Sequence, residues 1–264
     1  MSRAPAPAAP PTRLLATALT HRGGRRRVNE DTVGIGTWTS TADMEAPEQR
    51  LTSLRGAVVC AVADGLGGHD HGALASGIVV ARLGRAAERL TDAAAVTDFL
   101  RQLGGDLHRM ADDRGLRRAP GATLAALTCR PGGTALAVNV GDSRIYRLAA
   151  HGLERISQDD TPAAAQTDAE DRTGQAGHSV LQAVGGGTDL RRLTPHVEPL
   201  PLAAGGRFLL CTDGLTDVVG AGAITAAALR HHDDDGALVM ALFDLAMERG
   251  GPDNIALCLV RPLA

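Results

Sequence analysis

The order of patterns along this chain predicts an α+β fold, with helices packed on antiparallel sheets. Two observations carry that expectation. Short, β-rich apolar runs follow one another across tight turns, too short for the crossover that parallel strands require. Between and after them stand two pairs of stretches whose apolar residues recur at helical spacing.

In chain order, Met1–Thr12 is rich in Pro and Ala and has no charged segment ahead of an apolar one. It reads as a disordered leader rather than a signal peptide, with a single domain over 13–264. Leu14–Thr20 and Thr32–Thr37 read as strands flanking an Arg-rich turn, His21–Asp31, and the polar stretch Trp38–Arg55 as an irregular surface loop. Ala57–Ala63 is a Val-rich buried strand that stops at Asp64-Gly65. Ala73–Leu90 and Asp92–Ala111 follow as helices, the second with Thr91 as its N-cap. Strands are expected at Ala122–Cys129, Thr134–Val140, Arg144–Leu148 and Leu153–Ser157, each beside the next, because Pro131-Gly132-Gly133, Gly141-Asp142-Ser143 and His151-Gly152 separate them so briefly. Gln158–Gly177 is polar and without period, a mobile excursion. Arg207–Cys211 is a further buried strand, Ala223–Arg230 and Ala237–Glu248 are helices, and Asn254–Val260 closes the sheet.

Composition removes several classes of function. A net charge of -3 with interspersed signs leaves no basic face for nucleic acid or a membrane surface. No apolar run reaches the roughly 18 residues of a membrane span. Cys60, Cys129, Cys211 and Cys258 lie far apart inside apolar stretches, which argues against zinc and a disulfide framework and for buried thiols in a cytoplasmic protein.

The chemistry lies where apolar strands meet acids. Ala57–Ala63 ends at Asp64-Gly65, Ala135–Val140 at Gly141-Asp142 and Phe208–Thr212 at Asp213-Gly214, while Asp253 precedes Asn254–Val260 and Glu30-Asp31 precedes Thr32. A single Asp-Gly is ordinarily a turn whose carboxylate bonds nearby backbone. Several such sites on core strands would repel one another if they converged, and oxygen-only donors select hard cations such as Mg²⁺ or Mn²⁺.

Six blocks then carry a family resemblance. Arg26-Arg27-Val28-Asn29-Glu30-Asp31, Ala63–His69 with Gly72 and Ala75-Ser76, Gly121–Leu124, Asn139–Tyr146, Cys211–Asp217 and Gly251–Ile255 resemble, in order, the signature blocks of the PPM-type (type 2C) Ser/Thr protein phosphatases. The resemblance implies a β-sandwich of two antiparallel sheets flanked by helical pairs, an α-β-β-α arrangement. It implies hydrolysis of phosphoserine and phosphothreonine by a hydroxide activated between two Mn²⁺ or Mg²⁺ ions, with a third ion possible. On this pattern Asp64 bridges two ions, Asp213 and Asp253 hold one, and the Gly65 carbonyl helps hold the other, supported by Glu30 and Asp31. Asp142 and Asp217 match the acids of the third site. Arg26 would bind the substrate phosphate, whereas Arg25 and Arg27 read as a solvated turn. His69 is either a general acid or a surface or cap residue. His231-His232 with Asp233–Asp235 reads as a polar helix junction, with a metal site as the alternative.

Two departures stand out. Asp160 occupies the place of a usual His at the start of the family's flap, here about 158–178, and the stretch Ser179–Gly185 that follows the flap lacks a usual Arg. The partners implied are Ser/Thr-phosphorylated proteins and a cognate kinase, with the chain a monomer. The alternative is a catalytically silent phosphoprotein-binding module on the same fold, which predicts the loss of a metal acid; none is lost.

Overall fold

The computed structural model describes residues 10–67, 70–149, 152–162, 180–187 and 189–264. In chain order the strands begin with β1 (Arg13–His21), β2 (Thr32–Ile35), β3 (Trp38–Ser40), β4 (Glu48–Ser53), β5 (Val58–Ala63) and β6 (Gly65–Leu66). Helix α1 (Asp70–Arg85), a 3₁₀ turn at Ala87–Arg89 and helix α2 (Ala93–Asp113) follow. Next come β7 (Gly121–Ala122), β8 (Leu124–Arg130), β9 (Thr134–Val140), β10 (Arg144–Ala149), β11 (Gly152–Arg155), β12 (Val184–Gly185), β13 (His196–Pro201) and β14 (Phe208–Cys211). The chain closes with α3 (Asp213–Thr216), α4 (Ala221–Arg230), α5 (Asp235–Glu248) and β15 (Ile255–Leu263).

Two six-stranded antiparallel sheets form, in the orders β11-β10-β14-β15-β1-β4 and β13-β9-β8-β5-β2-β3, with a small third sheet β12-β7-β6. Strand periodicity explains how they pack. Val58, Cys60 and Val62 of β5 face the same core as Leu14, Ala16 and Ala18 of β1 and Ala256, Cys258 and Val260 of β15, so this core lies between the sheets. The alternate residues of β5, Val59, Ala61 and Ala63, pack on Val79, Leu83, Leu100 and Leu107 of α1 and α2. The alternate residues of β14 and β15 pack on Leu238, Val239 and Leu242 of α5 and Ile224 of α4. Each sheet therefore buries both faces, which is why its central strands read as unbroken apolar runs. The four cysteines are buried and unpaired.

Several local expectations are corrected. Trp38–Arg55 is no irregular loop: it supplies β3 and β4, strands at the edges of different sheets. β4 was hidden because only alternate residues of its polar sequence are even half-buried. Asp92, not Thr91, caps α2; its Oδ1 accepts the Ala95 N–H at 2.9 Å, while the Thr91 hydroxyl donates to Asp92 Oδ2. The Gly141-Asp142-Ser143 turn joins no hairpin: β9 and β10 lie in different sheets, so this turn crosses the sandwich. Thr12, the last residue of the expected leader, is tied down: its N–H donates to Leu263 O at 2.9 Å. Residues 1–9 and most of the expected excursion, 163–179, lie outside the described residues.

Candidate active site

Strand register shows where the acids go. In one sheet Thr32 pairs with Ala63 and Leu124 with Val140, so the start of β2, the end of β5 and the end of β9 share one rim. In the other, Arg144 pairs with Cys211 and Cys211 with Leu257, so the start of β10, the end of β14 and the start of β15 share a rim too. The three-residue turn from β9 to β10 brings the rims together. Asp31, Asp64, Asp142, Asp213 and Asp253 thus converge, although they lie up to 222 residues apart in sequence (253 minus 31).

Their electrostatics record that convergence. Burial, with the charges of Asp31, Asp213, Asp142 and Asp253, pushes the Asp64 carboxyl well above its ordinary range. Burial likewise raises Asp31; the Thr212 hydroxyl partly offsets this by donating to Asp31 Oδ2 at 2.7 Å, while Asp213 and Asp253 raise it further. Asp142 is pushed up to about 7 by burial and by Asp213, Asp159 and Asp217.

Backbone clamps hold the loops in place. Asp64 N–H donates to Thr123 Oγ1 at 3.0 Å, Thr123 N–H returns a bond to Asp64 O, and the Thr123 and Ser143 hydroxyls meet at 2.7 Å. Asn254 ties the Arg-rich turn to β15: its Nδ2 donates to Arg22 O and Val28 O, and its Oδ1 accepts the Glu30 N–H at 2.8 Å. Gly65 passes so close to Gly72 that a Cβ there would lie 2.2 Å from Gly72 O, so no larger residue fits. A Cβ on Gly72 would in turn lie 2.3 Å from Glu30 Oε1 and 2.7 Å from Gly65 O, which puts the Glu30 carboxylate and the Gly65 carbonyl side by side. Asn254, Thr212 and Thr123 all stand within recognisable blocks, but only their bonding partners reveal what they do.

Arg26 stands at the mouth, half-exposed, its Nη2 2.6 Å from Asp253 Oδ2. Burial would lower its pKa, but the Asp253 hydrogen bond and the charges of Asp253, Asp64 and Glu30 raise it. Asp217 follows α3 and reaches Asp142 through its charge. His69 lies outside the described residues. His232 and Asp233 are exposed, Asp234 caps α5, and Asp235 pairs with Arg207 and Arg261, so that cluster serves the helix junction.

The acid cluster suits a hard cation in charge and donor chemistry. All its donors are oxygens, and Asp31 Oδ1 is buried with no hydrogen-bond partner among the described residues. As the side chains stand, no three His, Cys, Asp or Glu among the described residues form a ready coordination shell. No helix among those residues is long and apolar enough to cross a membrane.

Fold and site together describe an α+β protein with two large sheets whose shared rim gathers an acidic cluster beside an arginine. The family model for protein phosphatase 2C matches residues 48–255, and the chain belongs to that family. The Ser/Thr protein phosphatase PstP of Mycobacterium tuberculosis is 34% identical over 220 residues, 76% of this chain and 39% of the relative. The chain thus spans about two-fifths of the length of that curated relative. Among solved structures, PppA, described as a key regulatory component of T6SS in Pseudomonas aeruginosa, superposes with a TM-score of 0.73 at 30% identity, covering 95% of this chain and 98% of that one. The catalytic domain of PstP in complex with two manganese ions superposes with a TM-score of 0.75 at 27% identity, covering 96% and 100%.

Proposed function

We propose that this chain hydrolyses phosphoserine and phosphothreonine in proteins, using two Mn²⁺ or Mg²⁺ ions, and that it opposes a Ser/Thr kinase. The observation that carries this is the convergence of five buried or part-buried aspartates with Arg26 at their rim. Likeness to PstP, whose catalytic domain holds two manganese ions, supports the cofactor.

Asp64, Asp213 and Asp253, with the Gly65 carbonyl, would hold the two ions, and Glu30 and Asp31 would support them. Asp142 and Asp217 would hold a third. Bound there, divalent cations would lower the pKa of a bound water enough to make hydroxide available near neutral pH, and would supply charge to offset that of the phosphate. Arg26 binds and orients the phosphoryl group, because a planar guanidinium can donate to two of its oxygens at once. The Thr212 hydroxyl keeps Asp31 bonded through Oδ2, leaving Oδ1 for the site. No cysteine can serve as a nucleophile: all four are buried, and burial raises the Cys211 thiol to about 12.

The test is hydrolysis of p-nitrophenyl phosphate and a phosphothreonine peptide, each with EDTA, Mg²⁺ or Mn²⁺, by the wild type and Asp213→Ala. Activity restored by metal in the wild type and missing from Asp213→Ala is expected. A folded wild type without turnover under every metal would overturn the reading in favour of a phosphoprotein-binding module.

A further inference from the structure

Asp160 stands where four segments of the chain meet, and it is only 8% exposed. Its backbone N–H donates to Gly141 O at 2.9 Å, and its Oδ2 accepts the Gly141 N–H at 2.9 Å. One residue therefore grips the peptide groups on both sides of Gly141, the second of which leads directly into Asp142. Gly141 has φ 87, and a Cβ on it would lie 2.8 Å from Thr123 Cγ2, so the turn is confined on that side as well.

The other carboxylate oxygen has partners of its own. Asp160 Oδ1 accepts from Gln182 Nε2 at 2.9 Å and lies 2.9 Å from His196 Nε2. Gln182 is itself oriented, since its Oε1 accepts the Thr194 N–H at 2.8 Å and the Thr194 hydroxyl at 3.2 Å. Leu181 N–H donates to Asp160 O at 2.7 Å. Asp160, which stands where the family blocks have a His, is thus bonded to Gln182 of the stretch that lacks their usual Arg.

The arrangement has a physical consequence for Asp142. That carboxylate rides on a turn that crosses between sheets and has no hairpin partner to hold it. A ligand on a loose turn loses conformational entropy when it binds a cation, whereas a turn already fixed does not. We propose that Asp160, braced by Gln182 and His196, is a positioning residue that holds the Gly141-Asp142 turn ready for a weakly bound divalent cation. It also ties that position to the segment 180–187. The role rests on the metal-dependent reading above.

The test compares Mn²⁺ binding by titration calorimetry in the wild type, Asp160→Ala, Asp160→Asn and Gln182→Ala, beside the Mn²⁺ dependence of phosphopeptide hydrolysis. Asp160→Ala should weaken the weaker binding phase by about tenfold or more while leaving the tighter one in place, as loss of an orienting partner does. Its kcat should recover at saturating Mn²⁺. Asp160→Asn keeps an acceptor for Gly141 N–H and should restore most of the affinity. Gln182→Ala, which touches only the brace, should weaken the same phase by a smaller factor; it carries the test should Asp160→Ala fail to fold. Wild-type affinities in both phases for the folded variants would overturn the positioning role alone. A wild type that neither binds Mn²⁺ nor turns over would overturn the phosphatase reading and this one with it.

Discussion

The hydroxyl of Thr212 is shared by two buried groups. It donates to Asp31 Oδ2 at 2.7 Å and accepts the Ala256 N–H at 2.9 Å, so it joins the acid cluster to β15. Removing it leaves a buried carboxylate short of a donor and a buried amide without its acceptor. Thr212→Val, which keeps the shape, should therefore destabilise the protein by about 1–3 kcal/mol in urea denaturation, while Thr212→Ser should stay near the wild type. Equal midpoints for the Val and Ser variants would refute this account. The sequence marks Thr212 as one more polar residue before an Asp-Gly; its two partners lie 181 and 44 residues away.

Among the elements, α4 and α5 are fastened to their sheet by a buried ionic knot as well as by apolar contacts. Asp235, 1% exposed in its side chain, accepts from Arg207 Nε at 3.1 Å and from Arg261 Nη2 at 2.6 Å. Arg207 also donates to the carbonyls of Ala228 and His231 at the end of α4. Asp235→Ala would leave two guanidinium groups crowded together without their counter-charge. A loss of about 3–5 kcal/mol in denaturant unfolding is expected, with Mn²⁺ affinity unchanged because the knot lies away from the acid rim. A coupled loss of metal binding would show that this helix layer shapes the site. Elements differed in how visible they were. β5, β14 and β15 announce themselves as apolar runs because both faces are buried. β13 contains Pro199 and Pro201, which argue against a strand, and it survives because it pairs on one side only, at a sheet edge. α3 has four residues, too few to show a helical period.

For the molecule as a whole, gathering like charges on one rim sets a pH dependence of stability. Asp142 is raised to about 7, and Asp31 and Asp64 are also raised, so the folded protein binds more protons than the unfolded chain between roughly pH 4 and pH 7. Stability must then fall as pH rises through that window. In EDTA the melting temperature should drop by several degrees between about pH 5 and pH 8. Mn²⁺ should raise it more at the upper end, since a cation favours the ionised carboxylates. Melting in EDTA that is flat or rises across the window would count against the convergence of these acids.

Strand periodicity was sufficient for the α+β class, the central strands and the longer helices, and the Asp-Gly stops with the order of the blocks nominated the acids. Those features depend on local pattern, where burial on one face or both leaves its period in the residues themselves. Nothing local could place Asp142 on a turn between sheets, pair Arg26 with Asp253, or set Asp160 against Gln182 and His196. A tight turn reads alike whether it closes a hairpin or crosses a sandwich. The choice was made by the packing of two sheets around a shared core, which brings together side chains that the chain keeps far apart.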